Sequence, residues 1–140
     1  MIKVALICNG SEQIGLQYLS ACLKARGHET RLFMDPSLLN DKVVFNFESA
    51  EKIFSMRKEL VRAVAGWKPD LIGISTVTIT YQWARDIGKR LKELMPDIPI
   101  IVGGPHAILV PDVIISEPFF DMVCIGEGEH ALAELADALS

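Results

Sequence analysis

Residues 2–35 read IKVALICNGSEQIGLQYLSACLKARGHETRLFMD, and the changes of pattern within them decide the fold. Residues 2–8 form a short, almost unbroken apolar run, as a strand covered on both faces requires. Residues 9–13 are a polar turn. From 14 to 26 the period becomes helical: Leu16, Leu19 and Leu23 share a face, and Gly27 supplies the C-terminal stop. A second strand is expected over 30–34, ending at Asp35-Pro36. Strand, helix and strand in so short a span make the βαβ unit of a parallel sheet.

The alternation continues outward. Residues 37–48 are the least regular stretch, read as a loop with a short extended piece at Val43-Val44-Phe45. Ile53, Met56, Leu60, Val64 and Trp67 then lie at helical spacing, closed by Lys68-Pro69. Strands are expected over 70–76, 98–102 and 121–125. Helices are expected over 80–95, with Trp83, Ile87, Leu91 and Leu94 inward, over 129–139, and, shorter, within 111–116. This pattern predicts a three-layer α/β/α, flavodoxin-like (Rossmann-like) fold, with five parallel strands in the order 2-1-3-4-5 and right-handed crossovers. Ligands of such a sheet bind beyond the carboxyl ends of the strands, where the strand order reverses. The loops opening at Asn9, Val77, Gly103 and Gly126 are therefore the ones to inspect.

The chain has 140 residues, half of them apolar, with 7% aromatic and 23% charged. That suits one domain, residues 1–140, with a core that needs neither disulfides nor a structural metal. No apolar run approaches ~18 residues, so no membrane span is expected. The amino terminus is too short and too lightly charged for a signal peptide. The net charge is −4 with acids and bases interleaved, which points to neither nucleic acid nor an anionic membrane as partner. Three widely spaced cysteines, Cys8, Cys22 and Cys124, suit a reduced, cytoplasmic chain.

The first loop holds Asn9, Gly10, Ser11, Glu12 and, after Gln13-Ile14, Gly15. Gly10 and Gly15 have the spacing of the outer glycines of a dinucleotide fingerprint, and Asp35 stands where its ribose-binding acid would be. The middle glycine is Glu12, whose bulk and charge oppose a pyrophosphate. A receiver domain would need clustered acids and an Asp ending strand three, and that strand ends in Ser75-Thr76. A flavodoxin phosphate loop would be rich in hydroxyls, and Ser11 stands alone. Strand three exits through Ser75, Thr76, Val77, Thr78 and Thr80, which crowd hydroxyls at the binding edge without adding charge. Thr80 doubles as a cap for the next helix. Strand four ends in Gly103-Gly104-Pro105-His106, whose glycines clear space beside the sheet for a flat ligand. After strand five, Gly126-Glu127-Gly128-Glu129 opens a helix whose dipole suits the acids. Of the other histidines, His28 falls at the opposite, amino-end rim, where a solvated ring is expected, and His130 at the carboxyl edge. No catalytic triad or Cys-His spacing is legible.

Taken together, residues 69–75 (PDLIGIS), 98–107 (IPIIVGGPHA) and 126–129 (GEGE) resemble the cobalamin-binding domain that precedes the radical SAM barrel in cobalamin-dependent radical SAM enzymes. The resemblance runs over nearly the whole chain. The wider family carries D-x-H-x-x-G after strand one, S-x-L after strand three and G-G after strand four. Aligned on Gly15, the Asp position is Gly10 and the ligand His position is Glu12. Ser75-Thr76-Val77 stands for S-x-L, and Gly103-Gly104 matches.

The resemblance implies a cofactor module that binds cobalamin base-off, with no histidine from the first loop on the cobalt. It implies contacts from the first loop, from residues 75–78, from residues 103–106 and from residues 126–128. It further implies a methyl-transferring parent enzyme whose missing C-terminal radical SAM domain carries a [4Fe–4S] cluster and S-adenosylmethionine. On that view the chain is an excised amino-terminal domain without complete activity. The alternatives are a dinucleotide-binding domain of an oxidoreductase using Gly10, Gly15 and Asp35, or a degenerate module that only docks a partner.

Overall fold

The computed structural model describes residues 1–10, 14–35 and 47–140, with residues 47–55 as helical backbone alone. The expected loop over 37–48, with Val43-Val44-Phe45, falls almost wholly outside the described residues. The elements are β1 (Lys3–Asn9), α1 (Ile14–Ala25), β2 (Glu29–Asp35), α2 (Phe47–Trp67), β3 (Leu71–Ser75), a 3-10 turn (Thr78–Thr80), α3 (Tyr81–Leu94), β4 (Ile100–Gly103), α4 (Pro105–Leu109), α5 (Pro111–Ile115), β5 (Met122–Val123) and α6 (Gly128–Ala138). The five strands are parallel, in the order β2-β1-β3-β4-β5. β1 and β3 are neighbours, so the strand order reverses between them, as the alternation predicts.

Strand alternation splits the core in two. Ala5, Ile7, Ile72, Ile74, Ile100 and Val102 face α2 and α3, where Val64, Trp83, Ile87 and Leu91 cover them. Val4, Leu6, Cys8, Leu71 and Ile101 face α1 and α6, where Leu16, Leu23, Leu132, Ala133 and Ala136 cover them. Both faces are buried, which is why the strands read as continuous apolar runs. Truncating a fully buried side chain such as Leu91 to Ala should cost about 2–5 kcal/mol. No described helix is long and apolar enough to cross a membrane.

Several expectations need correction. Leu94 is not inward: it lies beside Lys58 and Arg62 in a shallow groove between α2 and α3 and is 54% exposed. The core stripe runs into Met95 instead. β5 is only two residues long and Ile125 beyond it is exposed. Residues 105–109, read as loop, form the short helix α4, which Pro105 opens because its missing N–H costs nothing there. Thr80 stands at the N-cap of α3, but its side chain makes no capping hydrogen bond to that helix. Its Oγ1 accepts from the Val77 N–H (3.0 Å) and shares a hydrogen bond with Thr76 Oγ1 (2.9 Å), so it closes the 3-10 turn.

His28 is buried rather than solvated. Its Nδ1 accepts from the Ile2 N–H (3.4 Å), which leaves Nε2 to carry the proton and donate to Asp137 Oδ1 (2.8 Å). Arg26 Nη1 holds the other Asp137 oxygen at 2.8 Å, so the turn after α1 is tied to the end of α6. These two contacts, with Arg26 first, hold the Asp137 carboxyl below the usual carboxylate range.

Candidate functional site

A cavity of about 340 Å³ opens at the carboxyl edge of the sheet, on the α1/α6 face. Its floor is set by register. Leu6 of β1, Gly73 of β3 and Ile101 of β4 lie side by side on three adjacent strands. Leu16 and Leu19 of α1 form one wall and Leu132 of α6 the other. Nearer the mouth stand Ser75, Gly103, Gly104 and Pro105, then Cys124 and the segment from Gly126 to Glu129.

Glycines make the space, each for its own reason. At Gly73 a Cβ would stand 3.2 Å from Leu6 Cδ2 and 3.9 Å from Ile101 Cγ2, so the missing side chain leaves a narrow slot flanked by those two side chains. At Gly103 a Cβ would meet only Cys124 Cβ, at an ordinary 3.7 Å; a side chain would project into the cavity. Gly104 differs. Its φ is +96°, and a Cβ would lie 2.7 Å from the Thr76 carbonyl oxygen and 3.1 Å from Ser75 Oγ. Gly104 is therefore required for the close approach of the β4 exit to the β3 exit, besides lining the cavity. Gly126 also has positive φ, +93°, with open space where a Cβ would be. Cys124 is half-buried in the wall, and burial, with Glu129 nearby, pushes its thiol pKa up.

The other described sequence candidates lie at the same edge but not on this lining. Gly10 donates its N–H to the Asp35 carbonyl (2.8 Å). Asn9 is 5% exposed, and neither atom of its amide has a hydrogen-bond partner among the described residues. By strand parity with Ala5 and Ile7 it belongs to the α2/α3 face. Thr76 is buried, and its carbonyl accepts from the His106 N–H (3.3 Å). Val77 and Thr78 lead into the 3-10 turn. His106 is 9% exposed; its Nδ1 pairs with Thr78 Oγ1 (3.2 Å), and its ring lies on Tyr81 with centroids 4.4 Å apart. Its Nε2 is buried without a partner among the described residues. Burial, then Glu117, pushes the Tyr81 hydroxyl up, with Arg85 opposing. Ser11 and Glu12 fall outside the described residues.

Asp35 bears on the dinucleotide alternative. It is 2% exposed and accepts from Trp83 Nε1 at 2.7 Å, so its carboxylate is held inside the protein rather than offered to a ribose. The residues that sequence reasoning missed are Leu6, Gly73, Ile74, Ile101, Leu16, Leu19, Leu132, Cys124 and Glu129. Gly73 carried a signal: a glycine between two isoleucines of a buried strand marks a close approach or a ligand.

The strand order, the carboxyl-edge cavity and the glycine-cleared rim define a ligand-binding domain of the doubly wound class. Within that class the chain belongs to the B12 binding domain family, whose model matches residues 4–136. It is 30% identical over 123 residues to an anaerobic magnesium-protoporphyrin IX monomethyl ester cyclase of Rubrivivax gelatinosus, covering 87% of this chain and 20% of that protein. It is 26% identical over 100 residues to the cobalamin-dependent radical SAM methyltransferase TokK of Streptomyces tokunonensis, covering 69% of this chain and 14% of that one. In fold it is similar to a cobalamin-binding protein from Desulfitobacterium hafniense, with a TM-score of 0.71 at 18% identity over 99% of this chain and 59% of that one. The chain is a cobalamin-binding domain related to cobalamin-dependent radical SAM methyltransferases. It spans between 14% and 22% of the length of the curated relatives it matches.

Proposed function

We propose that the chain is the cofactor module of a cobalamin-dependent radical SAM enzyme and holds cobalamin base-off. The carrying observation is the cavity itself: a deep, largely apolar slot whose floor and rim lack side chains at Gly73 and Gly103, where a Cβ would occupy it. The nucleotide tail enters between α1 and α6, and the corrin lies across Gly103, Gly104 and the Gly126 loop. Asn9, Gly10, Gly15, Ser75, Thr76, Val77, Thr78, Pro105, His106, Glu127 and Gly128 surround it at the same edge, and the intervening Ser11 and Glu12 belong to the same proposed set by sequence. Bound cobalamin supplies a cobalt centre that can carry a methyl group. The radical SAM domain, with its [4Fe–4S] cluster and S-adenosylmethionine, belongs to the remaining length that the relatives possess. A reducing, cytoplasmic setting fits three cysteines that form no disulfide among the described residues.

No histidine is offered to the lower face of the cobalt from the first loop, where Glu12 takes the family's histidine position. His106 supports the same reading, since its ring is turned onto Tyr81 and Thr78. The test is to incubate the chain with cobalamin, and in parallel with a nicotinamide dinucleotide, desalt and read the spectrum. Retained corrin absorbance is expected, and its absence refutes the proposal. Bound cob(II)alamin should show no nitrogen splitting in its electron paramagnetic resonance spectrum; a nitrogen triplet lost in His106→Ala would make His106 the ligand.

A further inference from the structure

The cavity changes character with depth. Ser75, Glu127 and Glu129 stand at its mouth. Two residues back along β3, roughly 6.6 Å inward, Gly73 lies between Leu6 and Ile101, within the same apolar cluster as Leu16 and Leu132. At this depth every lining side chain is aliphatic or absent. The backbone offers nothing either. β1, β3 and β4 each have a strand on both sides, so the amides and carbonyls of the floor are engaged in the sheet. An occupant of the floor meets apolar surface and no free hydrogen-bond partner.

Natural cobamides differ in the base that ends the nucleotide tail. A benzimidazole joined to its ribose leaves one unbonded ring nitrogen on an otherwise apolar bicycle. Adenine leaves an amine and three ring nitrogens. Each polar atom buried without a partner forfeits the hydrogen bonds it made in water. Resting on the cobalamin reading above, we infer that the floor of Leu6, Gly73 and Ile101 selects cobamides with a benzimidazole base and rejects those with a purine base. The slot at Gly73 admits the edge of the bicycle, and the aliphatic walls exclude the water that a purine would need.

Equilibrium dialysis of the full chain against three corrinoids tests this: cobalamin, the adenine-bearing cobamide, and cobinamide, which has no nucleotide. Cobalamin should bind at least tenfold more tightly than either of the others. A smaller ratio to the adenine cobamide overturns the selectivity, and a smaller ratio to cobinamide overturns the placement of the base, while cobalamin binding itself stands. Retention of no corrinoid overturns the cobalamin reading and this inference with it. Gly73→Ala supplies the local check. Its methyl meets the flexible tip of Leu6 and lifts the floor. Cobalamin affinity should fall at least fivefold with cobinamide affinity unchanged; an equal fall for both, or none for cobalamin, overturns the placement.

Discussion

The two rim glycines are adjacent in sequence, yet the structure gives them opposite responses to substitution. Gly103 ends β4 with no positive φ, and a Cβ there makes only an ordinary 3.7 Å contact with Cys124. Valine suits a strand, so Gly103→Val should leave stability unchanged or raise it by up to ~1 kcal/mol. Its methyls must then stand in the cavity. Forcing extra methyl groups into a filled site costs about 1–3 kcal/mol. At 1.4 kcal/mol per tenfold, cobalamin affinity should weaken roughly fivefold to a hundredfold. Gly104→Ala reverses the pattern. Its Cβ would stand 2.7 Å from the Thr76 carbonyl oxygen at a φ of +96°. Such strain costs about 1–3 kcal/mol, so the thermal midpoint should drop by several degrees. The assays are thermal unfolding without ligand and equilibrium dialysis with cobalamin. A folded Gly103→Val with wild-type affinity would refute the placement of the ligand against β4. A Gly104→Ala chain as stable as wild type would refute the close approach of the two strand exits.

Three further outcomes are expected. Cys124 should alkylate slowly at neutral pH and faster as pH rises past the usual thiol range, since burial and Glu129 raise its pKa; Glu129→Gln should speed it and bound cobalamin should block it, with Cys22 as the internal reference in a mass-spectrometric time course. Asp137 titrates below its unfolded value, so its contribution to stability is present above about pH 4 and is lost as pH falls through the folded pKa; acid unfolding followed by circular dichroism should show that limb, and Asp137→Asn should remove it. Trp83→Phe strips the indole N–H from buried Asp35, which should destabilise the chain by about 1–3 kcal/mol in denaturant unfolding; no loss would mean that other partners satisfy the carboxylate.

The fold was legible because both faces of the sheet are covered. β1, β3 and β4 had to be apolar throughout, and Gly27 and Pro96 punctuate the helices between them. What stayed hidden depends on contacts remote in sequence. His28 reads as a rim histidine until Asp137, 109 positions away, comes beside it. Leu94 has the right spacing for the core, but it lies in an open groove where Lys58 and Arg62 of α2 run beside it. The glycine-rich rim was visible as composition. The cavity's walls were not, because Leu16, Leu19 and Leu132 follow the same period as any core-facing leucine. Spacing reports that a side chain points inward, not whether another side chain fills the space opposite.

That distinction explains how a common sheet becomes a cofactor cradle. On the α2/α3 face the carboxyl edge is closed by polar pairing: Asp35 to Trp83, Thr76 to Thr80, His106 to Thr78. On the α1/α6 face it is opened by omission, at Gly73 and Gly103. The two faces meet at Gly104, whose backbone rests on Thr76 and whose own edge borders the cavity. Thr76→Val tests whether the closed face holds the open one. Its hydroxyl bond to Thr80 would be lost, and a buried Thr80 oxygen would keep only the Val77 contacts. The cost to stability should be about 1–2 kcal/mol. If the closed face positions the rim, cobalamin affinity should fall as well, although Thr76 does not line the cavity; a destabilised chain with unchanged affinity would show that the rim is held from its own side alone.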